Sequence, residues 1–395
     1  MEIDYFKESL LLHKRLKGKI MITPKIDVQT KDQLSLVYSP GVAEPCMEIH
    51  RNPESVWDYT IKNNTVAVVS DGSAVLGLGN IGAYAAIPVM EGKALLFKRF
   101  ANIDAFPICI DTQDVDKIVE TVRLIAPVFG GINLEDIAAP RSFEVEARLQ
   151  NLGIPVFHDD QHGTAIVVLA ALLNASKVIG KPLSDMKVVI NGAGAAGIAI
   201  ARLLQSIDYQ GDDYKVHVND IIICDTHGII HQARTDLNMA KQAALHFTNR
   251  HNVQGTLQDA LHESDVFIGV SVGDLLKTSD IQLMKKDSVI FALANPIPEI
   301  MPDEAYRGGA AIVGTGRSDL PNQVNNVLGF PGVFRGALDA RAKRISPAMK
   351  MAAAFTIAEC VPKPNRNLII PPSLDEQVAW RVAAAVKAAA LSEKG

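Results

Sequence analysis

The sequence predicts an α/β protein of two domains. One is a doubly wound parallel sheet, and the other is a smaller α/β unit completed by helices near the C-terminus. Three observations predict it. The chain has 395 residues, more than one hydrophobic core usually serves. Short apolar runs alternate with helix-period segments for most of its length. After Asn326 the alternation gives way to helical patterning alone. The expected division is 1–160, 161–325 and 326–395, with the last segment returning to the first domain.

In the first part, strands are expected at 65–70, 94–97, 106–110 and 154–157. Between the last two, Val115, Ile118, Val119, Val122 and Ile125 recur at helical spacing. Pro140 is suited to open the next helix and Gly153 to end it. The second series of strands is expected at 187–191, 220–224, 265–269, 288–293 and 311–313. Near the end, Ser346-Pro347 reads as a helix start. Ser373 and Glu376 have capping-box spacing before Val378, Val382 and Val386.

Composition excludes several classes. The chain is 48% apolar and 21% charged, which places it among folded globular proteins rather than disordered ones. Its net charge of −5, with no basic run, argues against nucleic acid as a partner. The longest uncharged apolar stretch, 163–176, falls short of the roughly 18 residues that span a bilayer and reads as a buried helix. The N-terminal residues are acidic where an export signal would be basic. Cys46, Cys109, Cys224 and Cys360 are too scattered for a zinc knuckle or a disulfide framework. A reducing, cytoplasmic location is expected.

Two carboxylate couplets carry the chemistry: Glu135-Asp136 in NLEDIAAP and Asp159-Asp160 in FHDDQHGT. All-oxygen ligands select hard cations such as Mg2+ or Mn2+. His158 and His162 flank the second couplet and leave a zinc alternative. Because the couplet reads as a strand end, with a helix beginning at Gly163, the hard-cation reading is favoured.

The GxGxxG pattern occurs twice. Gly192, Gly194 and Gly197 directly follow a predicted strand and open a clean helix, so the N–H groups of that loop, with Ala195 and Ala196, suit a pyrophosphate. This is the dinucleotide loop of a Rossmann-type domain. Gly77, Gly79 and Gly82 lie well past their strand and more simply shape a substrate loop or a close helix contact. Asp225 ends the next strand, further along than the ~20 residues usual for a ribose-binding acid. With no adjacent Lys or Arg, it leans toward NAD over NADP; capping a turn is its bland alternative.

Several stretches together resemble one family. YSPGVAEPC, SDGSAVLGLGNIG, MEGKALLFK, NLEDIAAPRSFEVE, FHDDQHGTA, NGAGAAG, FALANPIPEI and NNVLGFPGVFRGALD are similar to malic enzyme in its short bacterial form, over about 20–375 and in the family's order. The resemblance implies oxidative decarboxylation of L-malate to pyruvate and CO2 with NAD or NADP, Mg2+ or Mn2+, and a homodimer. It implies Glu135, Asp136 and Asp160 as metal ligands, Lys93 as general base supported by Asp159, and Tyr38 as general acid. Asn295 and Asn326 become malate-binding amides, with Asn295 also near the nicotinamide. Where larger members carry an arginine for a malate carboxylate, this chain has Ala74. Ser73, the glycine-rich backbone and the two asparagines are candidates to replace it. As a base, Lys93 requires a pKa lowered by burial and a nearby metal. Two other readings stand beside this one: a malolactic conversion of malate to lactate, and a non-catalytic nucleotide-binding relative.

Overall fold

The computed structural model describes residues 4–393. Two sheets share one hydrophobic cluster, and each has a second cluster of its own. The first contains β1 (Thr65–Ser70), β2 (Asp104–Cys109), β3 (Gly131–Leu134) and β4 (Val156–His158), in the order β2-β1-β3-β4 and parallel throughout. The second contains β5 (Lys187–Asn191), β6 (Asp220–Asp225), β7 (Gly228–Ile229), β8 (Val266–Gly269), β9 (Val289–Ala292) and β10 (Ile312–Thr315). Its order is β10-β9-β8-β5-β6-β7, and only the short β6–β7 pair is antiparallel. Every residue of β1 is buried, as expected for a parallel strand covered on both faces. The strand order reverses between β5 and β8, which opens a crevice at their carboxyl ends.

Three expectations are corrected. Residues 94–97 are not a strand but part of the helix Gly82–Ala101, whose buried positions Met90, Ala94, Phe97 and Ala101 recur at three- and four-residue spacing. Pro88 does not end that helix. It lies on the exposed face, where water can satisfy the carbonyl it frees. The second couplet is not a strand end followed by a helix at Gly163: the helix Asp159–Ile179 begins directly after β4, with both aspartates in its first turn. There, acidic side chains are favoured by the helix dipole. Ser373 does not cap the last helix, Glu376–Ser392. Asp375 accepts from the N–H of Gln377, and the Ser373 hydroxyl donates to Gln323 instead. The short strands β3 and β7 gave no sequence signal, being four and two residues long.

The C-terminal helices pack on both units. Phe97 meets Phe330 and Phe334 edge-on at 4.7 and 5.3 Å. Gly332 and Gly336 let helix Phe330–Asp339 lie against the backbone of helix Glu376–Ser392, where an added Cβ would come within 2.5 Å of Ala379 O and Ala383 O. Helix Asp159–Ile179 alone among the described residues has the length and apolarity to cross a membrane. Its stretch from Ala165 to Leu172 is buried in the core that joins the two sheets.

Candidate active site

The carboxyl ends of β3 and β4 lie side by side, with Leu134 registered against His158. That register brings the two couplets together. Leaving β3, the chain turns sharply at Asp136, a non-glycine residue at φ +54°. The Asp136 N–H donates to Asp160 Oδ2 at 2.7 Å. One carboxylate oxygen from each of Glu135, Asp136 and Asp160 lies within 4.8 Å of the others.

Lys93, from the middle of helix Gly82–Ala101, is buried beside them. Its ammonium lies 2.6 Å from Asp159 Oδ2, 2.8 Å from Glu135 Oε1 and 4.2 Å from the centre of the Phe330 ring. Asn326 Nδ2 donates to the same Asp159 oxygen at 2.5 Å, and Asn133 Nδ2 donates to Glu135 Oε2 at 2.8 Å.

Electrostatics follow from this crowding. Burial, with Asp160 and Glu135 close by, pushes Asp136 up to about 9. Burial raises Glu135 to about 7 against the pull of Lys93, and raises Asp160 to about 6. Asp159 rises to about 7, also from burial. Asp136 Oδ2 and Asp159 Oδ1 are buried with no hydrogen-bond partner. A dense group of oxygens with an orphaned acceptor has the donor chemistry of a hard-cation site, so the residues fit Mg2+ or Mn2+. Burial favours lowering the Lys93 pKa, yet Asp159 and Glu135 outweigh it and hold the ammonium above its ordinary value. The expected lowering needs a nearby cation as well as burial; burial by itself is outweighed by two carboxylates in direct contact.

The two histidines do not form a zinc site with the aspartates. His162 is committed to Glu146 at 2.9 Å, and the cluster of possible ligands among the described residues is made of carboxylates alone. His158, wholly buried, is depressed to about 4 by burial and has no hydrogen bond at either ring nitrogen.

A cavity of about 710 Å³ opens over this group. Its walls include Lys93, Glu135, Asp136, Asp160, Asn295 and Asn326. Gly77, of the first glycine motif, also lines it and lies so close to the Asn295 carbonyl that a Cβ would come within 2.0 Å. Of that motif's three glycines, Gly77 is the one on the cavity wall. Two expected residues are placed elsewhere. Ser73 is buried, its hydroxyl donating to Asp71 Oδ1 and accepting from the N–H of Ala138, and it does not line the cavity. Tyr38 is 69% exposed and is also absent from the cavity wall.

The coenzyme cleft adjoins this cavity, and Ser271 lines both. It is about 740 Å³ and is walled by Asn191, Gly192, Gly194, Asp225 and Lys241. Gly192, at φ +121°, makes the tight turn, and a Cβ on Gly197 would sit 1.8 Å from Gly192 O. Gly194 faces open space and precedes helix Ala195–Leu204, which has no side-chain cap. Its first-turn N–H groups, including those of Ala195, Ala196 and Gly197, are left for a ligand. Asp225 lines the cleft as expected, but the absence of a neighbouring cation holds only in sequence. In space, Arg234 grips both its oxygens at 2.8 and 3.0 Å, and Lys241 lies 2.6 Å away. Burial alone would raise Asp225; these two cations hold it down at about 2.

Sequence reasoning missed the N-terminal contribution. Ser9, His13 and Lys19 line the acidic cavity, although nothing in their local pattern links them to it. The ring of Phe330 under Lys93 was equally invisible, because only the return of the C-terminal helices brings it there.

Comparisons with known proteins show the family. The malic enzyme N-terminal domain matches residues 16–150, and the malic enzyme NAD binding domain matches residues 161–391. A bifunctional malic/malolactic enzyme of Bacillus subtilis is 55% identical over 389 residues, covering 98% of this chain and 93% of the relative. An NAD-dependent malic enzyme of Geobacillus stearothermophilus is 53% identical, covering 98% of this chain and 79% of the relative. The crystal structure of an NAD-dependent malic enzyme from Thermotoga maritima superposes with a TM-score of 0.91 at 47% identity, covering 98% of this chain and 99% of that one. With both domains matched and the carboxylate site opening beside the dinucleotide cleft, the chain belongs to the malic enzyme family.

Proposed function

We propose that this protein oxidises L-malate with NAD or NADP and decarboxylates the product to pyruvate and CO2. One observation carries the reading: a buried lysine held between Asp159 and Glu135, beside three converging carboxylates, in a cavity that adjoins the dinucleotide cleft. Glu135, Asp136 and Asp160 would hold Mg2+ or Mn2+. When bound, that cation supplies Lewis-acid polarisation of the substrate's C2 oxygen.

Lys93 is the base that takes the C2 hydroxyl proton while hydride leaves C2 for the nicotinamide. Asp159, fixed by Asn326, orients the amine and accepts its hydrogen bond. Glu135 cannot serve a cation and the ammonium equally, so cation loading weakens one of the two contacts that hold the proton on Lys93. Loss of CO2 from the β-keto acid then leaves an enolate, and Tyr38 donates the proton that C3 requires. Asn295 and Asn326, both on the cavity wall, are the substrate amides.

Tyr38 can reach the enolate only if it is delivered from outside this cavity. The segment that carries it exposes Leu34, Leu36 and Val37 as well, an apolar face suited to a second copy of the chain. A homodimer in which each copy lends Tyr38 to the other's cavity reconciles that exposure with the role. Mixing Lys93→Ala and Tyr38→Phe proteins tests it: recovery of activity absent from either alone is expected, and no recovery would place Tyr38 elsewhere in the reaction.

NAD is favoured over NADP, because Asp225 stays ionised at neutral pH and engages both Arg234 and Lys241, the cations that a 2′-phosphate would otherwise need. We assign 1–160 to the substrate and metal domain, 161–325 to the coenzyme domain and 326–395 to helices completing the first. A cytoplasmic location suits the four free cysteines. A second reading has one specific support, the malic/malolactic relative of Bacillus subtilis: pyruvate is reduced before release and leaves as lactate. Absorbance at 340 nm with L-malate, Mn2+ and either coenzyme, followed by product assay, separates the two. Reduced coenzyme matched by pyruvate is expected; lactate without net reduction would favour the second reading.

A further inference from the structure

The missing arginine leaves a question of charge. Malate carries two carboxylates, and the cavity wall already contains Glu135, Asp136 and Asp160. Of the lysines and arginines on that wall there are two, Lys93 and Lys19. Lys93 is fully engaged by Asp159 and Glu135, so it cannot also balance the substrate's second carboxylate.

Lys19 is held for that task. Helix Tyr5–Leu16 ends in a left-handed residue, Lys17, and Gly18 follows at φ +124°. This turn carries the chain back over helix Gly82–Ala101. A side chain at Gly18 would sit 3.3 Å from Glu91 Oε1, so a glycine there leaves Glu91 free to accept the Lys19 N–H at 3.1 Å. The Lys19 ammonium lies over Gly92, 3.6 Å from where a Cβ would stand. That is one residue before Lys93 on the same helix. Lys19 is half-buried and forms no ion pair among the described residues. Glu91 is its nearest acidic influence, and burial lowers its pKa from the usual lysine value. A partly desolvated cation with no direct ion pair, on the wall of a cavity proposed for a dianion, is poised for a carboxylate.

We infer that Lys19 binds the substrate carboxylate remote from the cation site, the function an arginine would serve at the position of Ala74. The inference rests on the malate reading above. It makes the N-terminal turn a specificity element: Lys19 distinguishes 2-hydroxy dicarboxylates from 2-hydroxy monocarboxylates.

Steady-state kinetics on the Mn2+-loaded full-length protein test it, with Lys19→Met and Lys19→Arg. A charge-assisted hydrogen bond corresponds to about a tenfold or greater change in affinity. Lys19→Met is expected to raise KM for L-malate at least about tenfold, with the coenzyme KM unchanged, and Lys19→Arg is expected to recover most of the loss. Competitive inhibition by L-lactate, which has no second carboxylate, is expected to be unaltered in Lys19→Met. An unchanged KM for malate, or equal weakening of malate and lactate, would overturn the assignment. If the wild-type protein turns over no malate at all, the proposed function fails rather than this inference. Coenzyme binding by Lys19→Met, followed by fluorescence, shows that the variant is folded.

Discussion

The two halves of the active cleft are built in different ways. The phosphate-binding turn of the coenzyme half comes from one contiguous segment, in which strand β5, the turn at Gly192 and the uncapped helix Ala195–Leu204 follow one another within 187–204, while Asp225, Lys241 and Ser271 complete the cleft from further along the chain. The cavity beside it is assembled from places far apart in the chain: the turn at Lys19, Gly77, Lys93 in mid-helix, the end of β3, the start of helix Asp159–Ile179, Asn295 after β9, and Asn326 after β10. A local motif is governed by backbone geometry, so its parts stand or fall together. A dispersed site is governed by packing, so each part can be removed singly and read out singly.

Removing Lys93 is the most severe way to test this separation. Lys93→Ala is expected to lower kcat for malate by about 10²–10⁴-fold while coenzyme affinity, measured by fluorescence titration, stays within a few fold. Loss of coenzyme binding would mean that the two halves are not independent. Asp136→Asn comes next. It keeps the shape but removes the ability of this carboxyl to ionise against a cation, and Mn2+ affinity is expected to fall by about 100-fold or more, given that even outer-shell partners are worth about 10–100-fold. Mn2+ electron paramagnetic resonance measures this without turnover; unchanged affinity would remove Asp136 from the cation site.

Glu146 sharpens the comparison from behind the site. It accepts from the N–H of His158, from Gln161 and from His162, and so ties helix Arg141–Leu149 to the start of helix Asp159–Ile179. Burial would raise its pKa, but His162, with Lys350 and His158 nearby, holds it down at about 2. A folded-state value below the unfolded one gives stability that is present above about pH 4.5 and is lost as pH falls toward 2. The shift corresponds to about 3 kcal/mol. Urea unfolding of Glu146→Gln is expected to show a shallower loss of stability between those pH values than the wild type. Equal slopes would remove Glu146 as its source.

The smallest effect is expected in the coenzyme half. Asp225→Asn removes the negative charge beside the ribose but keeps a hydrogen-bonding group there. It should shift the NADP-to-NAD ratio of kcat/KM upward by about tenfold, since Arg234 and Lys241 would then face a 2′-phosphate without a competing carboxylate. No change would mean that Asp225 is held by its two cations for structure alone.

Much of the molecule was legible before folding was considered. The strand at β5 and its glycine turn were readable because a parallel strand buried on both faces is a continuous apolar run, and the turn needs glycine at fixed offsets. The couplets stood out because four acids at two sites are rare beside apolar segments. Residues 94–97 were misread because an apolar run of that length fits strand or helix equally. The helix at Asp159 was hidden because the strand and helix meet with no turn residue between them.

By itself, the sequence determined the α/β class, the chain order of the parallel strands in the coenzyme domain, the glycine turn and the two carboxylate couplets suited to a hard cation. Each of these depends on periodicity or on residue chemistry within a few positions. Only the tertiary structure decided that Glu135, Asp136 and Asp160 converge, that Lys93 is clamped by two carboxylates, that Asp225 meets Arg234 and Lys241, and that Lys19 reaches the cavity while Tyr38 does not. Those outcomes depend on strand register and helix packing between residues far apart in the chain, and no local pattern encodes a distance of that kind.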